Sequence, residues 1–298
     1  MEHEFHRWLK QLPQNESPEI RIGIGDDAAV LSRSDYDSVI TTDTIAEGTH
    51  FDLSVHSLEL VGRKSLAVNL SDIAAMGAEP TSAVLNFMLP RTFGFDEAKL
   101  LFDGIQNLAS EFNVAIIGGD TNTWNGPLVV GATVIGKRKP TETGWTIDGA
   151  KNGDALFVSG SFGGSIHQRH LSFQPRVELA RYLSENYQIN GATDASDSLS
   201  LDLSTMLKQS GLGVSISRNN IPVSPDVTET DFDKRLHHAL SDGEDFELIL
   251  AVPTSDVDRL TSDTNLPTPL TMLGNFTNQH QDIRDEDGST ITPKGYEH

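Results

Sequence analysis

The chain has 298 residues, 37% of them hydrophobic, enough for two domains of ordinary size with a core each. Its formal charge of −21 argues against nucleic acid as a partner, because phosphate backbones are gripped by Lys and Arg. The absence of cysteine excludes disulfides, thiolate catalysis and zinc–thiolate sites, and no apolar run is long enough to cross a bilayer.

A short helix is predicted over residues 3–12, with Phe5, Leu9 and Leu12 on one side. This charged, amphipathic start fits neither a secretory signal nor a transit peptide, so the cytoplasm is the expected location. Gly23 and Gly25 then pinch two apolar segments around Asp26-Asp27. Adjacent carboxylates repel, and either a shared cation or a solvated turn can keep both ionised. Residues 38–42 predict a strand that delivers Asp43 at its end. Thr41, Thr42 and Asp43 offer hard oxygen ligands of the kind Mg²⁺ takes. His50 follows in a loop, either as a polar surface group or as part of a site.

The chain is organised around the run from Leu58 to Pro80. Leu66, Leu70, Ile73, Ala74 and Gly77 recur at the spacing of a helix packed on a core. Ser65, Asn69 and Asp72 make a polar stripe, one turn apart. A buried carboxylate without donors or a cation is expensive, so Asp72 is a capping or hydrogen-bonding residue or a ligand. Ala74, Ala75 and Gly77 leave room for another backbone, and Pro80 marks the exit. Residues 83–89 predict a strand and 95–112 an amphipathic helix. Residues 114–121 predict a short buried strand running into Gly118-Gly119-Asp120, where the glycines turn the chain and Asp120 projects from the strand end. Another apolar strand is expected over 128–136.

Residues 137–153, rich in Lys, Thr, Gly and Asp, are the expected boundary region, giving domains of 1–140 and 141–298. The second unit opens with a strand over 154–160 and a Gly/Ser-rich turn over 159–165. Such a turn can cradle phosphate on backbone N–H groups, although this one lacks the P-loop lysine. A helix is predicted over 174–186. The acidic stretch 193–197 precedes another over 199–208, and residues 238–252 read as a loop feeding a buried strand. Strands and helices alternate in both halves, as in two related units, without a sequence repeat to prove it. The polar tail 293–298 carries one aromatic, Tyr296.

Six stretches carry a resemblance: Gly23-Ile-Gly-Asp-Asp-Ala28, residues 41–51, residues 64–80, Ile117-Gly-Gly-Asp-Thr121, Asp194-Ala-Ser-Asp197 and Gly243-Glu-Asp-Phe-Glu-Leu248. Together they resemble the thiamine-monophosphate kinase family, within the aminoimidazole ribonucleotide synthetase-like superfamily. The block 69–80 is highly specific, and Asp43-Thr-x-x-x-Gly-x-His-Phe51 points to the thiamine enzyme. The resemblance implies a mixed α/β (α+β) fold of two domains, with N-terminal domains closing a shared β-barrel in a homodimer. It implies ATP-dependent phosphorylation of thiamine monophosphate to thiamine diphosphate by Mg²⁺-assisted in-line transfer. By the same resemblance, metal positions fall on Asp27, Thr41, Thr42, Asp43, Asp72, Asp120, Asp194 and Asp197, of which Asp72, Asp120 and Asp197 are catalytic. Gly119 and Ser196 fall on nucleotide contacts, and His50, Glu244 and Tyr296 on substrate contacts. Two alternatives stay open: a drifted relative binding nucleotide and metal without kinase activity, and an enzyme acting on another phosphorylated substrate. Three departures stand out. Ser198 replaces a family glycine, Ile147 an ATP-contacting arginine, and the segment after Ser165 is shorter. They lead us to expect a raised KM for ATP, with Ile147→Arg either rescuing part of it or, where the apolar side chain packs inside, destabilising the fold.

Overall fold

In a computed structural model of the protein, the described residues are 19–22, 26–33, 35–140, 145–167 and 169–295. The helix expected over 3–12, Gly23, Gly25 and Tyr296 lie outside them. A first sheet contains β1 (Ile20–Ile22), β2 (Ala29–Ser32), β3 (Asp37–Ala46), β4 (Glu79–Pro90), β5 (Ala115–Trp124) and β6 (Val129–Arg138), in the order β1-β2-β3-β6-β4-β5. Neighbours are antiparallel except β4 and β5. Helix α1 (Leu58–Ala75) lies along β3 and β6, and α2 (Phe95–Glu111) packs on α1 and β5.

Ser57 caps α1, accepting from the Leu60 N–H. Where α1 crosses α2, backbone meets backbone at Gly62 and Gly104: a Cβ at either would lie 2.0 Å from the Leu101 or Glu59 carbonyl oxygen. At Gly77, whose φ is +61°, the missing side chain admits the Trp145 ring instead of another backbone.

A second sheet contains β7 (Ala155–Ser159), β8 (Gly191–Asp194), β9 (Gly213–Ile216), β10 (Leu248–Val252), β11 (Leu270–Thr277), β12 (Ile283–Asp285) and β13 (Thr290–Ile291), in the order β13-β12-β9-β11-β7-β10-β8. Helices α3 (Arg169–Ser172), α4 (Val177–Asn186), α5 (Leu199–Ser210), α6 (Phe232–Ser241) and α7 (Thr254–Thr261) complete it. The central strands β7 and β10 are buried throughout, as their unbroken apolar runs require. Phe157, Leu248 and Leu250 join the core around α1, while Leu156, Val158 and Ile249 face the opposite way, into a core with Leu203 and Met206 of α5. Helix α1 is thus enclosed from both sides, touching β3 and β6 as well as α3, α4 and β8, and 13 of its 18 residues are buried. Every buried polar side chain on it must therefore find a partner inside the protein.

Four local readings change. β3 continues through Asp43 to Ala46. β5 is an exposed edge strand, not a buried one, and continues through Gly118, Gly119 and Asp120 to Trp124. Gly119 serves close pairing rather than a turn, since a Cβ there would lie 2.2 Å from the Leu85 carbonyl oxygen. α4 begins at Val177, after Pro175, and His238 sits in α6 rather than in a loop.

Candidate active site

The polar stripe of α1 meets the acids of three other segments. Thr41 Oγ1 on β3 donates to Asp72 Oδ2 at 2.5 Å, and Asp43 and Asp72 are hydrogen-bonded to each other. The Asp43 N–H donates to Asn69 Oδ1 at 3.1 Å, and Asn69 Nδ2 donates back to the Ser65 carbonyl. Ser71 donates to Asp194 at the end of β8. Thr193 Oγ1 donates to Asp27 Oδ1 at 3.2 Å, while Asp27 Oδ2 is buried without a hydrogen-bond partner among the described residues. Asp26 accepts from the Ile147 N–H at 3.1 Å. Asp202, in the first turn of α5, accepts from the N–H groups of Asp197 and Ser198 at 3.0 and 2.9 Å.

These carboxyls hinder each other's ionisation. Loss of hydration, then repulsion from Asp194 and Asp26, pushes Asp27 well above the usual carboxylate range. Loss of hydration followed by Asp43, Asp194 and Asp27 does the same to Asp72. Asp202 is raised well above it by burial and Asp197. Burial brings Asp194 to about 7 and Asp26 to about 6, and raises Asp43 against its bond to Asp72. Hard oxygens that repel one another, one of them orphaned, suit Mg²⁺. Among the described residues, no three of His, Asp or Glu are gathered tightly enough to hold an ion unaided. That is no obstacle for Mg²⁺, which usually takes one or two carboxylates and completes its shell with waters and substrate phosphates.

Of the eight expected metal positions, Asp27, Thr41, Asp43, Asp72, Asp194 and Asp197 belong to this ring. Thr42 does not, because its hydroxyl bonds Thr133 at 2.9 Å and the Ala132 carbonyl at 3.1 Å on the other face of the sheet. Asp120 pairs with Asn86, which pairs with Gly131 and so with Thr44. It therefore shares the exposed face of Thr42 and Thr44, three strand spacings or about 14 Å from β3. Gly119 lies on the same edge strand, and Ser196 offers its carbonyl to the Glu244 N–H at 2.6 Å.

Two departures find an explanation. Ser198 has φ 172°, an extended backbone that needs no glycine. It caps α5 by accepting from the Leu201 N–H at 3.0 Å and donates to the Lys294 carbonyl at 2.6 Å. Ile147 is 6% exposed and packs in the core with Leu156 and Leu199. Of the two outcomes expected for Ile147→Arg, this burial favours destabilisation over rescue, because the new charge would enter an apolar core. The phosphate cradle expected over 159–165 is also corrected. The Gly163 N–H bonds both oxygens of Asp245 at 3.0 Å, and the Gly164 N–H bonds Asp242 at 2.8 Å, so protein carboxylates occupy those donors.

The motif 243–248 turns tightly, with positive φ at Gly243, Glu244 and Phe246, and each acid in it meets a different cation. Glu244 meets Lys64 at 2.7 Å and His170 at 3.0 Å, and Asp245 meets Arg169 at 2.8 Å. Glu247 accepts from Arg176 Nε at 2.6 Å. His50 Nδ1 accepts from the Ala46 N–H at 3.1 Å. Lys64, Ser71, His170 and Asp202 escaped the sequence reading. Lys64 alone carried a signal, as a charge inside an apolar helix that must be paired.

Acids converging from a helix and two sheets on one space define the class: residues 25–137 match the family model described as AIR synthase related protein, N-terminal domain. The chain is 40% identical over 285 residues to thiamine-monophosphate kinase of Rhodopirellula baltica, covering 92% of this chain and 89% of that one. The structure of thiamine-monophosphate kinase from Stenotrophomonas maltophilia K279a matches at 30% identity, covering 97% of this chain and 96% of that one with TM-score 0.76. A structure described as AaThiL complexed with AMPPCP and TMP shares the fold, with TM-score 0.82 at 24% identity over 99% of this chain and 95% of that one. The chain belongs to the thiamine-monophosphate kinase family.

Proposed function

We propose that the protein transfers the γ-phosphoryl group of ATP to the phosphate of thiamine monophosphate, giving thiamine diphosphate. The observation that carries this reading is the acid ring of Asp27, Asp43, Asp72 and Asp194 in a chain of this family. An anionic protein meeting two anionic substrates needs cations between them. Asp27, Thr41, Asp43, Asp72, Asp194 and Asp197 would hold Mg²⁺, which when bound would offset the charge of the phosphates. The chain itself supplies orientation: Thr41 and Ser71 donate to the Asp72 and Asp194 carboxylates and Asn69 holds the Asp43 backbone N–H, so that little has to rearrange during reaction. The acceptor phosphate has a second pKa near ~6 and is already nucleophilic at neutral pH. A general base is therefore not required.

In this reading residues 1–140 hold metal and nucleotide and dimerise, while 141–298 close the site. Gly119 and Ser196 contact nucleotide, and His50, Glu244 and Tyr296 contact thiamine monophosphate. A homodimer is supported by the uncovered sheet face and by β5, where Ile117 is 61% exposed on an unpaired edge. Asp120 lies on that edge, so a second copy seated there is the route by which an Asp120 would join an acid ring. Among the described residues no helix is long and apolar enough to cross a membrane, and we assign the protein to the cytoplasm. Purified protein given ATP, Mg²⁺ and thiamine monophosphate should form thiamine diphosphate; no product under these conditions would refute the reading. Light scattering should return the mass of two chains.

A further inference from the structure

Lys64 is fully buried at the middle of α1. Its ammonium lies 3.0 Å from the His50 carbonyl oxygen, 2.7 Å from Glu244 Oε1 and 2.9 Å from His170 Nδ1. The same Nδ1 lies 3.0 Å from Glu244 Oε2. These two contacts at Nδ1 exclude each other, since one nitrogen either donates to the carboxylate or accepts from the ammonium. Lys64 already has two acceptors, whereas Glu244 Oε2 needs a donor in this buried place. The N–H therefore belongs on Nδ1, and the lone pair on Nε2.

Nε2 is buried and has no hydrogen-bond partner among the described residues. The ring is held by Glu244 and by the edge of His56, with centroids 5.6 Å apart at 71°. Buried polar atoms are normally satisfied, so an acceptor fixed in this way is suited to a donor that arrives with a ligand. Each oxygen of Glu244 already accepts one bond from the protein, whereas Nε2 of the imidazole accepts none among the described residues.

We propose that His170 Nε2 accepts a hydrogen bond from the exocyclic amine of the substrate's aminopyrimidine ring, with Lys64 and Glu244 as positioning residues that set its tautomer. This rests on the function proposed above, in which His50 and Glu244 contact the substrate. The site then selects a donor at that position of the heterocycle, independently of the phosphate chemistry at the acid ring.

The test compares thiamine monophosphate with its 4-oxo analogue, which places a carbonyl where the amine donates. A site built to bond a donor rejects an analogue lacking it, so wild-type kcat/KM should favour the amine by about tenfold or more. His170→Ala, or His170→Phe if the alanine variant fails to fold, should bring the two substrates to within about threefold of each other while KM for ATP stays unchanged. His170→Gln, which can place an oxygen near the position of Nε2, should restore the preference. Lys64→Met should weaken it. If wild type turns over both substrates equally, or if the variants lose equally on both, Nε2 is filled by a fixed water or serves structure alone and the assignment is wrong. A wild-type protein that phosphorylates neither substrate would instead overturn the proposed function.

Discussion

Replacing Asp72 by Asn removes one acid from the ring without changing its shape. Asp72 accepts from Thr41 at 2.5 Å and is hydrogen-bonded to Asp43. Asn keeps an oxygen for Thr41 and brings an N–H for the Asp43 carboxylate. Hydrogen bonds worth roughly 1.5–3 kcal/mol at charged groups are therefore exchanged rather than lost. What disappears is repulsion with Asp43, Asp194 and Asp27. Relief equal to one pKa unit is ~1.4 kcal/mol, and at about 2–4 °C per kcal/mol the metal-free variant should melt level with wild type or a few degrees above it. The response to Mg²⁺ should run the other way. At a hundredfold excess over Kd a bound ion adds ~2.7 kcal/mol, and Asp72→Asn should forfeit most of that gain together with kinase activity. Thermal melts in chelator and in Mg²⁺, beside a diphosphate assay, check both halves. A variant that melts several degrees below wild type in chelator, or keeps full activity, would refute this account of Asp72.

Ile147→Arg should lower stability by several kcal/mol, as expected for an unpaired charge entering an apolar core, without improving ATP dependence; a normal melting temperature with a lower KM for ATP would show that the side chain reaches nucleotide. Ser198→Ala should cost about 1 kcal/mol through the lost cap of α5, whereas Ser198→Gly should cost less, and paired thermal melts resolve the difference. The metal-free protein should lose stability as pH rises. Burial raises Asp26 from 3.8 to about 6 and Asp194 from 3.8 to about 7, so the stability they confer is complete below the unfolded pKa and is lost as pH climbs through the folded values. Exposed acids with lowered pKa, such as Asp263 at about 2, pull only weakly the other way. Melts in chelator between pH 4 and 8 should fall in temperature, and added Mg²⁺ should offset much of the decline at the upper end; a steady rise with pH would contradict the acid ring.

Much of the architecture was legible because it depends on neighbours a few residues apart. The spacing of Leu66, Leu70 and Ile73 marks α1, and the unbroken apolar runs of β7 and β10 mark central strands. Residue chemistry made Asp43 a candidate hard ligand and left Asp27 and Asp72 open, while Asp194 entered as a metal position only through the family resemblance. Partners and faces were another matter. Alternation along β3 places Thr41 with Asp72 and Thr42 with Thr133 on opposite sides of one sheet, and nothing local says which side α1 will cover. Gly118-Gly119 resembles a turn, yet pairing with β4 keeps it extended and carries Asp120 to an outer edge. The Gly/Ser-rich turn had donors free for phosphate until Asp245 and Asp242, some eighty positions away, took them. Lys64 and Glu244 stand 180 positions apart. Backbone periodicity is set by each residue's own sterics and its near neighbours. The partner of a buried charge is set by the path of the whole chain, and only the packed structure holds that path.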